Sequence, residues 1–261
     1  MKEKFITIGK THISFFDSET KGPLLVLLSG WTHQFQEEVS FIDALTTKSR
    51  VVAISWPGYG NSDSSPMAMS MEYLAEIVHE IVNELQQQEV FLVGFSMGTQ
   101  VATHYAKKYD ANTPMILISA PLRAFDSEAP WYGKLLLQSK VAMKIVRRIP
   151  PFRDALVKMA YGSIARVTEN SSRKHVWNAK KVSMYGAYDT LIALLTSFAD
   201  PTIFPECVFI YGEQEVLQND SGIPEANIIE VKGIGHGAFN KKPTELAAAV
   251  MHAVGKLQKK R

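Results

Sequence analysis

The sequence predicts an α/β fold: a mostly parallel central sheet flanked by helices, with a helical cap inserted into it. Three observations carry that reading. Leu24–Leu28, Arg50–Ser55, Val90–Gly94 and Met115–Ser119 are near-continuous apolar runs of strand length, the pattern of parallel strands covered on both faces. Between them Leu74, Ile77, Val78, Ile81 and Leu85, then Val101, Ala102, Tyr105 and Ala106, repeat at helical spacing. After Pro121 the strand signal stops, and it returns only at Cys207. Strands alternating with helices imply crossover connections, which lay the strands side by side in parallel.

Taken in order, Phe5–Ile8 and Ile13–Asp17 read as an opening strand pair. Ser70 caps the helix that carries Leu74 to Leu85. Trp131–Ile149, Phe152–Ala165 and Arg173–Phe198 read as helices, with Pro150-Pro151 as a break between the first two. Cys207–Tyr211 and Asn227–Val231 restore the strands, and Pro243–Leu257 closes as an amphipathic helix. The expected division is a core of residues 1–120 and 200–261 with a helical cap of residues 121–199.

Bulk composition narrows the class without choosing a function. A chain of 261 residues with 46% hydrophobic residues can bury a substantial core. A net charge of +2 is too small to argue for nucleic acid. No apolar run approaches the roughly 20 residues of a membrane span. Met1 to Phe5 lead into a strand without an apolar leader. Cys207, the single cysteine, excludes an internal disulfide and reads as a small buried hydrophobe. A cytoplasmic protein is the expectation. No Walker loop and no G-x-G-x-x-G follows the first strand, so no cofactor is expected. Met67, Met69 and Met71 lack neighbouring His or Cys and read as apolar packing, so no metal is expected either.

The charge is unevenly spread. Residues 121–199 hold 13 Lys and Arg against 5 Asp and Glu, a local +8, while the remainder carries −6. The plain reading is the solvated outer face of cap helices. The sharper one sets Arg147-Arg148, Arg173-Lys174 and Lys180-Lys181 on one outward surface that docks an acidic substrate or carrier.

Gly94-Phe95-Ser96-Met97-Gly98 follows the apolar run Val90–Val93 and opens a helix. G-x-S-x-G in a strand–turn–helix setting is a nucleophile elbow. The turn is so tight that side chains at Gly94 and Gly98 would collide with backbone, and it lifts the serine hydroxyl clear of the sheet. The helix N-terminus behind it offers N–H donors to a developing oxyanion. A serine hydroxyl needs a positioned base. His236 follows the last strand, in the Gly-rich loop Gly233–Gly237 ahead of the final helix, the place in chain order of a triad base. His79, His104 and His252 fall in helical stretches, His12 in an early strand and His175 in the cap. His33 is a candidate border of the pocket.

In these motifs the chain resembles the α/β-hydrolase superfamily over essentially its whole length. Leu24–Trp31 is similar to the strand and oxyanion loop that usually ends in His-Gly, with Ser29 where the His stands. Trp56-Pro57-Gly58-Tyr59-Gly60-Asn61-Ser62 resembles the Pro-Gly-aromatic-Gly-x-Ser turn. The Gly-Trp loop, the small helical cap and Gly235-His236-Gly237-Ala238-Phe239 look most like small carboxylesterases. The pimeloyl-acyl-carrier-protein methyl ester esterases are an example. The resemblance implies a Gly-x-x-Asp turn after the penultimate strand. Here Gly212-Glu213-Gln214-Glu215 puts Glu215 at the acid's position, with Glu213, Asp220 and Asp126 left as alternatives. It also implies an oxyanion hole of two backbone N–H groups, from Met97 and Trp31.

Two readings of different class follow. In one, the chain is a serine hydrolase of carboxylic esters or thioesters, acting through an acyl-enzyme on Ser96. In the other it is a catalytically silent binding fold. Lyase, C–C hydrolase or perhydrolase chemistry can use the same triad. The intact Ser96 and His236 pair favours the hydrolase, with a small ester or thioester, anionic or carrier-bound, as its partner.

Overall fold

The computed structural model describes residues 1–122, 139–167, 182–215, 223–236, 239 and 241–260. Among them, eight strands form one sheet: β1 (Lys2–Ile8), β2 (Thr11–Asp17), β3 (Leu24–Leu28), β4 (Arg50–Ile54), β5 (Val90–Phe95), β6 (Met115–Ile118), β7 (Cys207–Gly212) and β8 (Ile228–Val231). Their order is β1-β2-β4-β3-β5-β6-β7-β8. The β1–β2 and β2–β4 pairs are antiparallel, and every pairing from β4 to β8 is parallel. All of β3 is buried, as an apolar run sandwiched between helices must be.

Alternation along β3 separates two cores. Leu24, Val26 and Leu28 pack with Leu74, Ile77 and Ile81 of α2 (Met71–Leu85) and Val101 of α3 (Met97–Lys108). Leu25 and Leu27 point the other way, toward Phe41 and Leu45 of α1 (Val39–Thr46) and Leu246 and Val250 of α7 (Pro243–Gln258). This is the period-2 geometry of a strand dividing two helical layers. No helix among the described residues is long and apolar enough to cross a membrane.

Between β6 and β7 lie α4 (Lys140–Arg148), α5 (Pro150–Val167) and α6 (Met184–Thr196). The helical content there agrees with the sequence, but its boundaries differ. Pro150-Pro151 begin α5 rather than interrupt the chain, because a first-turn proline lacks only an N–H that has no intrahelical partner. The helix expected over Arg173–Phe198 starts at Met184. Val182 bridges to Tyr59 in extended conformation, and the Ser183 side chain caps the Gly186 N–H at 3.0 Å. Residues 168–181 lie outside the described residues. Helix α1 was not expected from the sequence.

Two smaller readings are corrected. Met69 and Met71 are buried, but Met67 is exposed on the loop before α2. Arg147 does not join Arg148 on an outward surface. Its guanidinium grips Asp189 of α6 through Nε–Oδ1 at 2.7 Å and Nη2–Oδ2 at 2.8 Å, and donates to the Ser65 carbonyl at 2.7 Å. A planar fork that matches a carboxylate bidentately belongs inside a pair, not on a solvated face. Arg173-Lys174 and Lys180-Lys181 lie outside the described residues. Cys207 is buried as expected, and burial pushes its thiol up to about 12.

One fully buried carboxylate ties the sheet edge together. Asp17 on β2 receives Arg50 of β4 at 3.0 and 2.6 Å and Lys4 of β1 at 2.9 Å. Burial alone would raise its carboxyl, but the hydrogen bonds from Arg50 and Lys4 outweigh that and hold it well below the usual carboxylate range. Its contribution is therefore present above the unfolded carboxylate pKa of about 3.9 and lost as pH falls toward the depressed folded value. Asp17→Asn should cost about 1–3 kcal/mol at neutral pH, since it replaces charge-assisted hydrogen bonds from the partly buried Arg50 and Lys4 by weaker neutral ones. It should also flatten the loss of stability between about pH 4 and 2, as followed by chemical denaturation at each pH. An unchanged pH profile in Asp17→Asn would assign the acid sensitivity elsewhere.

Candidate active site

The parallel strands bring Ser96, Glu215 and His236 to one edge of the sheet. Ser96 directly follows β5, Glu215 lies three residues beyond β7, and His236 follows β8, all past the carboxyl ends of parallel strands, with β6 lying between β5 and β7. That edge is where open α/β sheets hold their ligands.

Ser96 is the N-cap of α3 with φ 49° and ψ −112°. A positive φ is unfavourable for a residue with a Cβ, and the turn is held by backbone on each side. The Ser96 N–H donates to the Ile118 carbonyl at 2.9 Å, and the Thr99 hydroxyl donates to the Ser96 carbonyl at 2.6 Å. A Cβ on Gly94 would stand 2.7 Å from the Gly98 carbonyl carbon, and one on Gly98 would run into the Leu28 carbonyl. The tight crossing expected of G-x-S-x-G is therefore present. Phe95 and Met97 are buried on either side while Ser96 is partly exposed.

His236 stands beside this turn, its ring centroid 5.2 Å from that of Phe95. Its Nδ1 lies 3.1 Å from Glu215 Oε1 and 3.3 Å from Oε2, and the Glu215 side chain is fully buried. The two loops are stitched together by backbone. The Glu213 N–H donates to the Val231 carbonyl at 3.0 Å, the Gln214 N–H to the Ile234 carbonyl at 2.9 Å, and the Glu215 N–H to the Gly212 carbonyl at 2.9 Å. Gly212 sits so close to Ile234 that a side chain there would strike its carbonyl. Glu213 turns away from His236, and its carboxylate accepts the Gly233 N–H at 2.8 Å. Asp220 and Asp126, the other candidate acids, lie outside the described residues, as do Gly237 and Ala238.

The loop after β3 approaches from the other side. Trp31 and Thr32 occupy a turn closed by the His33 N–H on the Gly30 carbonyl at 3.2 Å, and Thr32 has φ 58°. Ser29 supports this loop where the resemblance would place a His. Its hydroxyl accepts the Phe35 N–H at 3.3 Å and its carbonyl accepts the Trp56 indole at 3.0 Å. The backbone N–H groups of Trp31 and Met97 have no hydrogen-bond partner among the described residues. The Trp31 indole donates to the Ala187 carbonyl of α6 at 2.8 Å, so the side chain is a packed anchor.

Against this geometry the relatives can be weighed. The model of the family described as alpha/beta hydrolase fold matches residues 23–156. The chain belongs to the α/β-hydrolase family. Among its relatives, a pimeloyl-[acyl-carrier protein] methyl ester esterase from Aeromonas hydrophila is 30% identical over 90% of this chain and 96% of that protein. Another of that name, from Vibrio campbellii, is 33% identical, and that match spans 43% of this α/β-hydrolase and 42% of the Vibrio protein. The solved esterase of Exiguobacterium antarcticum superposes with a TM-score of 0.70, covering 97% of this chain and all of its own, 100%, at 17% identity. That likeness carries the fold.

Three further histidines of this α/β-hydrolase sit in packed surroundings, while His175 lies outside the described residues. His33 is buried against the rings of Phe35, Phe95 and Phe239 at 5.0–5.2 Å, with Nε2 3.3 Å from Glu38. His104 is buried beside Glu72 and Ser197, and His79 stacks on Tyr109 at 3.8 Å. Tyr59, read from the sequence only as the aromatic of a turn, and Thr190, not picked out at all, together hold the loop after β3. Their link spans 131 residues, and no local pattern signals a pairing that long.

Proposed function

We propose that this α/β-hydrolase is a serine esterase in which Ser96 is the nucleophile, His236 the general base and acid, and Glu215 the acid that orients the imidazole. The observation that carries this reading is the pairing of His236 Nδ1 with a fully buried glutamate beside the Ser96 elbow. A carboxylate can only accept, so the Nδ1 atom facing it carries the proton and Nε2 keeps its lone pair for the serine. Ser96 Oγ adds to the ester carbonyl as its proton passes to Nε2. The resulting oxyanion accepts hydrogen bonds from the Trp31 and Met97 N–H groups. Imidazolium then protonates the departing alcohol, leaving an acyl-serine. Water, deprotonated by the same imidazole, hydrolyses that acyl-serine and releases the acid. The fixed carboxylate stabilises the imidazolium without taking its proton.

The substrate class follows from the relatives and from charge. Two relatives are named for methyl esters on acyl-carrier protein, and we extend to this chain a carboxylic ester or thioester, anionic or carrier-bound. Residues 121–199 form a cap in this reading, supported by the hydrogen bonds of α6 to the loops after β3 and β4. Among the described residues, exposed cations of this segment include Lys144 and Arg148 on α4 and Lys158 on α5. Arg147, engaged by Asp189, does not belong to that set.

Ser96→Ala should lower kcat on the order of 10⁶-fold with the fold intact. Glu215→Gln should cost roughly 10³–10⁴-fold, because the amide can present the wrong group to Nδ1. Glu213→Gln should change little. Steady-state kinetics of the three purified variants on one p-nitrophenyl ester decides this, and a large loss in Glu213→Gln with full activity in Glu215→Gln would reverse the assignment. For the carrier, kcat/KM on a carrier-bound acyl ester should fall as ionic strength rises, because steering is screened beyond about 8–10 Å at physiological salt. A neutral ester should show almost no salt effect, and Lys144→Glu/Arg148→Glu should reproduce the selective loss. Equal salt dependence for both substrates returns these cations to a solvated helix face.

A further inference from the structure

A buried phenol supports the turn that bears the Trp31 N–H. Thr32, with φ 58°, donates its N–H to Tyr59 Oη at 3.1 Å. Tyr59 Oη lies 2.9 Å from Thr190 Oγ1 on α6, and Thr190 Oγ1 donates to the Gly186 carbonyl at 2.7 Å. Thr190 has one hydroxyl proton and commits it to Gly186, so Tyr59 is the donor to Thr190. The bonds therefore run in one direction: Thr32 N–H to Tyr59, Tyr59 O–H to Thr190, Thr190 O–H to the Gly186 carbonyl. Hydrogen bonds arranged head to tail in a dry interior polarise one another, and both Tyr59 and Thr190 are fully buried. Burial also pushes the Tyr59 phenol up to about 12, so it keeps its proton throughout the neutral range.

The surrounding backbone leaves this chain of bonds little freedom. A Cβ on Gly58 would lie 2.6 Å from the Ser183 hydroxyl, and one on Gly186 would lie 2.8 Å from the Pro57 carbonyl. The Trp31 indole reaches the same first turn of α6, donating to Ala187. The strained turn at 30–33 and the start of α6 are thus joined at two points, by the indole and by the phenol.

We propose that Tyr59 is a positioning residue for the oxyanion hole, holding the Trp31–Thr32 turn against α6 so that the Trp31 N–H faces the reacting carbonyl. This rests on the esterase reading above. Without the phenol, the Thr32 N–H loses its acceptor and the 30–33 turn keeps only the indole as a tie to α6, so the Gly30–Trp31 peptide that carries the Trp31 N–H can shift away from the reacting carbonyl. The hole is then unformed for part of the time while the substrate pocket stays intact. The loss falls on the transition state and the tetrahedral intermediate, where negative charge gathers on the carbonyl oxygen, and not on the bound ester.

Tyr59→Phe removes the hydroxyl and keeps the ring. Its kcat on a neutral p-nitrophenyl ester should fall about 10–100-fold with KM altered less than about threefold, short of the loss of a whole donor. Affinity for a trifluoromethyl ketone, which forms an oxyanion adduct with Ser96, should fall in proportion to kcat/KM. Thr190→Val should act in the same direction more weakly, and Thr190→Ser, which restores the acceptor, should recover most of the rate. If Tyr59→Phe does not fold, the Thr190→Val and Thr190→Ser pair decides the matter. Wild-type kcat in folded Tyr59→Phe and Thr190→Val, beside an inactive Ser96→Ala, overturns the positioning role and leaves the esterase reading standing. An active Ser96→Ala removes the esterase reading, and the positioning role falls with it.

Discussion

A Cβ on Gly98 would collide with the Leu28 carbonyl, and one on Gly94 would lie 2.7 Å from the Thr99 Cα. Helix α3 can begin where it does only because both positions lack a side chain. That close crossing of α3 over the end of β3 sets Ser96 at its unusual backbone angles and leaves its side chain partly exposed. It also brings the first N–H of α3, from Met97, toward the turn at Trp31, because that turn directly continues β3. The proposed nucleophile and both proposed oxyanion donors thus depend on one close backbone crossing. A side chain at either glycine would disturb all three together, since overpacking here meets carbonyls and main chain rather than yielding side chains.

The second half of the centre is held by a different device. Glu215 and His236 sit on loops after adjacent strands, β7 and β8, and backbone hydrogen bonds from residues 213 and 214 to 231 and 234 keep those loops in register. The glutamate's extra methylene, compared with an aspartate, is accommodated because the carboxylate reaches Nδ1 with both oxygens within 3.3 Å. Helix α6 ties the first of these devices to the helices between β6 and β7. It carries the Ala187 carbonyl, Thr190 and Asp189, which bond respectively to Trp31, Tyr59 and Arg147. The three contacts lie within about one turn of a single helix, so α6 bears on the loop after β3, the loop after β4 and α4 at once.

Much of this was legible in the sequence, for local reasons. The buried strands stood out as apolar runs because parallel strands covered on both faces admit few polar residues. Ser96 stood out because its glycines are required by a collision between near neighbours, and His236 because chain order places the base after the last strand. Helix α1 escaped notice because it is short, with only Phe41, Ile42 and Leu45 buried and no side-chain cap. The start of α6 was misjudged because a tertiary bridge from Val182 to Tyr59 holds the preceding residues extended. Arg147 read as a surface cation because its partner, Asp189, lies 42 residues away. Tyr59 read only as the aromatic of a turn, since its bond to Thr190 exists only once α6 has docked.

The claim on which the account stands is that Ser96 is activated by His236. Treating the purified protein with a fluorophosphonate and weighing it intact tests this most directly, because phosphonylation needs an activated serine. The account predicts one adduct per chain, mapped to Ser96 by peptide analysis and lost in His236→Ala. An unmodified Ser96 in protein that still hydrolyses esters, or an adduct on another serine, would contradict it.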